Sequence, residues 1–463
     1  MHNQPSETKV IIIGAGITGL GAAYYLRQNG MSYRILEQND NVGGIWHTQR
    51  WHGARCDSDF IKYSFSFKPF LSDRCLQDRA EIQRYLHSVA AEFGMLERIE
   101  FNTRVVKAVF DSAQCKWIVH TTRGIFRARF LINGNGYFSE PHVPAFRDKE
   151  LFRGEIIHTF DLDAGRSFAG KDMVLVGSGS TAICAAPELA RVSKSLVLLQ
   201  RSPSYIYEIN NQASRFTLSC QRLYQRGIRL PLRLVRGWLQ LRDDLIFVGF
   251  RALPRLARWI FRRHWFATVG AEAFQRHFTP RYNPWEQRIP LAVGLKEQIG
   301  TGRITLMTGE IERYAEDALV LKSGERIKCD VCILATGFDL NFLKFDMVVD
   351  DAHVDMSGIN FYKGVMLGAV PNYFQPVGVW HSAWTQRSEA ATRYAVKIMT
   401  YMEKNGLQSV KIDRKEVAYM PAITPNYIMR RLPAMPRLYG SWELPSIDNL
   451  LSYRFRPRAF RFS

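Results

Sequence analysis

The run Val10-Ile11-Ile12-Ile13 is unbroken, apolar and β-branched, which predicts a strand buried on both faces. It stops at Gly14-Ala15-Gly16-Ile17-Thr18-Gly19, and an apolar helix is predicted from Leu20 to about Gln28. A short strand, Tyr33–Leu36, then ends on Glu37. The same order returns later: strand Met173–Val176, loop Gly177-Ser178-Gly179-Ser180-Thr181-Ala182, a helix to about Arg191, and strand Ser195–Gln200 ending in Arg201-Ser202-Pro203. Between the two units, apolar spacing predicts a helix over 80–93 and strands over 104–110, 116–121 and 126–133, the last running into Gly134-Asn135-Gly136-Tyr137. Beyond them come strands over 304–308, 318–321 and 330–335, the turn Ala335-Thr336-Gly337, a helix over 388–404, and a tail over 453–463 that reads as an irregular arm. The pattern is α/β: two Rossmann-like dinucleotide-binding domains, the second carrying a helical insertion. The expected boundaries are 1–146 for the first part of the first domain, 147–328 for the second domain and 329–463 for the return to the first.

Each glycine has a distinct physical role at such a turn. Gly14 permits the tight bend, Gly16 lets the backbone approach a pyrophosphate, and Gly19 lets helix and strand lie close together. The helix N-terminus then offers free N–H groups and the positive end of its dipole to the phosphates. Glu37 stands where an acid accepts hydrogen bonds from a ribose diol, whereas the corresponding Arg201 suits a 2′-phosphate. One chain therefore carries two nucleotide sites of different chemistry, the first suited to FAD and the second to NADPH. Asn41-Val42-Gly43-Gly44-Ile45-Trp46 places paired glycines beside a large aromatic, suited to backbone pressed against a planar ring.

The stretch 210–280 departs from this rhythm. Pro231 and Pro254 are placed to start helices. On a wheel over 232–246, Leu234, Val235, Trp238, Leu239, Leu241 and Leu245 share one broad face, with Arg233, Arg236 and Gln240 opposite. The formal charge of +19 is concentrated here, with twelve arginines from Arg215 to Arg263 against only Asp243 and Asp244. No groove-reading or base-stacking module accompanies them, which argues against nucleic acid. Two readings stay open for 215–265: a peripheral contact with an anionic membrane, or a lid whose apolar face packs inward over the active site.

No run reaches the roughly 18 apolar residues of a membrane span, and Met1–Lys9 lacks the basic start of a secretory signal. The seven cysteines are odd in number and scattered, as expected in a reducing, cytoplasmic compartment. Cys329 and Cys332 form the one CxxC, inside an apolar strand, and read as core thiols. No metal-ligand spacing and no Ser-His-Asp arrangement is present, and nothing in the sequence bears on oligomeric state.

The two glycine loops, Gly43-Gly44-Ile45-Trp46 and Ala335-Thr336-Gly337 together resemble the class B flavoprotein monooxygenases. Phe152-x-Gly154-x-x-x-His158 matches the first part of that class's FxGxxxH signature, with Leu162 where an aromatic is usual. Trp51–Asp59 is similar to the Baeyer–Villiger loop Tyr-Pro-Gly-(Ala/Ile)-Arg-x-Asp, and Tyr282-Asn283-Pro284-Trp285-Glu286-Gln287-Arg288 to a bacterial branch carrying YNPWDQR. The resemblance implies that NADPH reduces FAD, that O₂ gives a peroxyflavin, and that this species inserts one oxygen atom into a lipophilic ketone to form an ester or lactone. The alternative is an N- or S-oxygenating enzyme of the same class. In the family's pattern Arg288 is the active-site arginine and Asp57 the acid that holds it, while Gln287 replaces a usual lysine. His158 is expected to shape the connection between domains. The candidate cofactor contacts are Gly14, Gly16, Thr18, Gly19, Glu37, Gly44, Trp46, Asp57, Val105, Gly177, Gly179, Ser180, Thr181, Arg201, Ser202 and Thr336.

Overall fold

A computed structural model of the chain describes residues 6–138, 140–412, 423 and 425–463. Strand β1 (Ser6–Ile13), helix α1 (Ile17–Gln28) and strand β2 (Tyr33–Leu36) form the first unit, with β1 and β2 parallel and Val10 opposite Tyr33. The helix begins three residues ahead of the expected Leu20, because the glycine loop itself supplies its first turn. On its other side β1 pairs in parallel with the strand Gly124–Asn133, which brings Gly134 against the first glycine loop. The period of two sets the packing. Val10 and Ile12 join the core formed with α1, while Ile11 and Ile13 join a second core with Phe110, Trp117 and Tyr373.

The second unit is a five-stranded sheet built on β3 (Phe168–Val176), helix α2 (Ser180–Val192) and β4 (Ser193–Gln200). Strand β3 lies between β4 and the later strand Val331–Leu334, and all three run parallel. Val331–Leu334 also pairs with Glu155–His158. The return to the first domain therefore comes after Leu334 and not at the expected residue 329. It is the hydrogen-bonded partners of this strand, which sequence alone does not display, that decide the point. The two crossings meet as a short antiparallel ribbon, Phe338 opposite Pro141 and Asp339 opposite Glu140.

Residues 210–280 are helical as expected: α3 (Arg215–Gln225), α4 (Leu230–Ala252) and α5 (Pro254–His277), the last broken at Gly270 where φ is 77°. Pro231 and Pro254 both sit in first turns. The burial of α4 corrects the wheel. Leu234, Trp238, Leu241 and Leu245 are exposed, while Gln240 and Asp244 are buried and Arg236 is largely enclosed. A helix α6 (Trp384–Lys404) packs beside α1 and starts four residues before the expected 388. The tail is not an arm. Arg461–Phe462 pairs with Val410–Lys411, and Tyr453 and Phe460 are buried against Tyr394. Its alternating aromatics carry it into the core. All seven cysteines are free, and Cys329 and Cys332 lie in one apolar cluster where burial pushes both thiols up, Cys332 to about 12.

Candidate active site

The C-terminal ends of the parallel strands of the two sheets open on one cleft of about 1050 Å³. Every candidate site residue except Gly19 lines it. Gly19 serves packing instead, since a Cβ there would stand 1.9 Å from the Gly14 carbonyl oxygen. The loops of the first unit interlock in the same way: Gly44, at φ 58°, would bring a Cβ to 3.3 Å from the Gly16 Cα. By contrast, nothing lies within 4 Å of a Cβ built on Gly179, so the second loop faces open space.

No side chain caps the N-terminus of α1 or of α2, which leaves free N–H groups facing the cleft at each glycine loop. Glu37 is buried, and its Oε2 accepts from the Ala15 N–H at 2.6 Å. Its Oε1 accepts from the Asn39 N–H at 2.8 Å and from Asn39 Nδ2 at 2.7 Å. The carboxylate thus ties the first loop to the end of β2. Thr18 accepts from Trp384 Nε1 at 3.3 Å, and Trp46 donates to the Tyr63 hydroxyl at 2.7 Å. Val105 is buried on the strand Val105–Asp111 of the first sheet and lines the cleft. Arg201 and Ser202 are exposed at the end of β4, free to meet a ligand's charge. Thr336 donates to the His142 carbonyl at 2.5 Å, which fixes the crossing into the first unit.

Arg288 and Asp57 come from different units and meet in this cleft: Nη2 donates to Asp57 Oδ1 at 2.5 Å. Ser180, at the start of α2, donates to the other carboxylate oxygen at 2.6 Å. Burial pulls against the charge on Arg288, but Asp57 more than compensates and the guanidinium is held above its ordinary pKa. The turn that presents Arg288 is closed by its own motif. Asn283 N–H and Nδ2 donate to the two Glu286 carboxylate oxygens at 3.0 and 2.7 Å, and the Glu286 N–H returns to the Asn283 carbonyl at 3.1 Å. Trp285 takes φ 66° there, a left-handed conformation rare for a bulky residue.

Relatives identify the setting. A family described as pyridine nucleotide-disulphide oxidoreductase matches residues 11–219. The chain is 30% identical to the probable FAD-binding monooxygenase AlmA of Acinetobacter baylyi, over 98% of this chain and 94% of the relative. It is 32% identical to the FAD-containing monooxygenase EthA of Mycobacterium tuberculosis, over 92% of this chain and 90% of the relative. The chain belongs to the FAD-containing monooxygenases. Solved structures give the same fold across the whole chain. A steroid monooxygenase described as bound to NADP aligns with TM-score 0.79 at 24% identity, covering 99% of each chain. A cyclohexanone monooxygenase from Rhodococcus sp. Phi1, bound to NADP+, aligns with TM-score 0.80 at 20% identity over 99% of this chain and 100% of that one.

The residues of this monooxygenase fit such cofactors. Two uncapped helix N-termini face two glycine loops, and Asn135 Nδ2 is buried in the cleft without a partner. Despite the name of the matched family, dithiol chemistry has no support here, because the one CxxC is buried in a strand core away from the cleft. Among the cleft residues the sequence reading did not mark, three stand out. Tyr427 lies against Arg288, and burial pushes its hydroxyl up to about 12, so it remains a neutral donor. Lys344 lies near Glu37 and Glu140, and burial draws its ammonium down to about 8. Phe138 meets Tyr427 and Trp380 edge-on at 6.0 Å each, which makes one wall aromatic. No motif announces any of the three; Tyr427 and Lys344 come from segments far from the loops, and Phe138 follows the Gly134–Tyr137 turn without a signature of its own. His158 makes no contact with the Arg288–Asp57 pair; its Nδ1 accepts from the Phe160 N–H at 3.1 Å in the crossing. Leu162 is buried in the core of the second unit, so that position is occupied by packing.

Proposed function

We propose that this monooxygenase carries out Baeyer–Villiger oxidation of lipophilic ketones with FAD, NADPH and O₂, as a member of the bacterial branch with a YNPW(D/E)QR motif. When bound, reduced FAD supplies the electrons and the site at which O₂ is activated. The first unit holds FAD through Gly14, Gly16, Thr18, Glu37, Gly44, Trp46, Val105 and Thr336. The second holds NADPH through Gly177, Gly179, Ser180, Thr181, Arg201 and Ser202. The observation that carries the reading is Arg288, a permanent cation held at 2.5 Å by Asp57 between the two glycine loops. Oxygen insertion beside a carbonyl builds negative charge on oxygen, and a fixed guanidinium in a part-buried cleft stabilises that charge without reorganising. Asp57 keeps Arg288 charged and aimed, and Ser180 keeps Asp57 aimed. The aromatic wall of Phe138 and Tyr427, backed by Trp380, suits an apolar substrate.

The test is product analysis of a ketone panel with NADPH and O₂, where esters or lactones are expected. Nitrogen or sulfur oxides with no ester would replace the reading by the N- or S-oxygenating alternative. Arg288→Ala should retain FAD and its reduction by NADPH yet lose ester formation by about 10²–10³-fold. Asp57→Ala should fall the same way by less. Arg201→Ala should raise KM for NADPH by about tenfold or more and leave that for NADH nearly unchanged.

A further inference from the structure

The helical insertion docks through a mixed face: Leu232 and Val235 pack against Ile61 and Cys220, and polar groups bond across the rest. Arg236 on α4 donates to the Ile61 and Ser64 carbonyls at 2.7 and 2.6 Å and to Glu389 at 3.1 Å. Asp243 pairs with the buried Lys62 and accepts from Ser382 at 3.3 Å. Asp244 accepts from Gln240 and from the Ser446 N–H, both at 3.0 Å. These bonds fix the rotation of the helix, and turning it to bury its apolar side would strand them all. What remains outside is a stripe recurring every three or four residues: Leu230, Leu234, Trp238, Leu241, Leu245 and Val248, with Leu234 64% and Trp238 60% exposed. Leu253, just before α5, and Leu256 and Trp259 on it are exposed as well.

The charge around this stripe has one sign. Both aspartates of the segment point inward, whereas every arginine from Arg215 to Arg263 except Arg236 is exposed. Arg236, Arg242 and Arg251 aside, none of them pairs with a carboxylate among the described residues. We propose that the insertion is a membrane-surface anchor: α4 lies in the interface of an anionic phospholipid bilayer, its outward stripe at the acyl boundary and the flanking arginines on headgroup phosphates. The charge complementarity selects this occupant. A second copy would set the same cations against each other, and a nucleic acid would leave Leu234, Trp238 and Leu245 without a partner. Among the described residues no helix is long and apolar enough to cross a membrane, so the contact is one of a helix lying on the surface.

The experiment is co-sedimentation of the FAD-loaded full chain with vesicles of phosphatidylcholine, with and without phosphatidylglycerol, at low and high ionic strength. It reads partition and not turnover, so it stands or fails apart from the oxygenation reading. Binding to the anionic vesicles, with release in high salt, is expected. Arg229→Gln with Arg233→Gln should weaken it about 25-fold, roughly fivefold for each charge. Trp238→Ser with Leu241→Ser should weaken it about tenfold or more. Both pairs are exposed, and retained flavin absorbance checks that each variant is folded. The proposal is overturned if the parent fails to sediment with anionic vesicles at low salt, or if it binds neutral vesicles equally well. It is also overturned if both variants partition like the parent, or if the stripe instead drives a concentration-dependent dimer that Trp238→Ser with Leu241→Ser abolishes.

Discussion

In β1, four consecutive apolar residues divide between two cores and all are buried. In α4, Leu234 and Trp238 look outward while Gln240 and Asp244 are enclosed. Both segments obey their periodicity, one of two and one of 3.6, yet the first buries all its apolar residues while the second keeps Leu232 and Val235 inside and turns Leu234, Trp238, Leu241 and Leu245 outward. Periodicity therefore locates a face without saying which way it turns. The direction is set by what waits on the other side. Beneath β1 lie the apolar flanks of α1 and α6, whereas beneath α4, beside the Ile61 side chain, lie Lys62, Glu389, Ser382 and the carbonyls of Ile61 and Ser64, which need polar partners.

The largest test of this contrast is Arg236→Ala. It leaves Glu389 buried opposite no cation and should cost about 3–5 kcal/mol in denaturant unfolding, as a buried pair broken from one side does. A cost below that of an ordinary surface change would mean the polar docking contributes little. Ile12→Ala in the frame should cost about 2–5 kcal/mol, the amount for a large buried aliphatic cut to a methyl. Leu234→Ala removes a similar side chain and should stay within about 0.5 kcal/mol. If Leu234→Ala approached the cost of Ile12→Ala, the stripe would be covered by something in solution.

An intermediate effect comes from His264, also in the insertion. Burial and then the nearby Lys296 draw its pKa down to about 4, and its Nε2 accepts from the Glu208 N–H at 2.9 Å. The folded pKa lies below the unfolded one, so between about 6.5 and 4 the unfolded chain binds more protons. Stability is then complete above about pH 6.5 and falls as pH drops toward 4, by about 1 kcal/mol after allowance for solvent around a half-buried ring. Unfolding curves at pH 7 and 4.5 should show a smaller loss in His264→Gln than in the parent. An equal loss would remove His264 from the acid limb.

Much of the frame was legible because local chemistry dictates it. The glycine spacing at Gly14, Gly16 and Gly19 defines a turn that few other residues could make, and Arg288 and Asp57 were marked by motifs that here converge from separate units. The parts that were not legible depend on partners distant in sequence. Tyr427 and Lys344 enter the cleft from the last third of the chain with no local signature. The tail reads as an arm until Val410–Lys411 and the aromatic cluster around Tyr394 are placed beside it. The inward turn of Asp243 and Asp244 needed Lys62 and Ser446, neither of which a helical wheel can contain.

The ribbon of Glu140–Pro141 with Phe338–Asp339 joins the two units at both of their chain crossings. Two separate linkers would permit the units to slide, rotate and splay independently. Hydrogen-bonded to each other, the crossings leave one strap between the units where two independent ones would stand. Within the cleft the Arg288–Asp57 and Ser180–Asp57 bonds tie the same two units, alongside Arg55–Glu188 and Arg236–Glu389 nearby. A change in the angle between the units would therefore reach the arginine through its carboxylate partner.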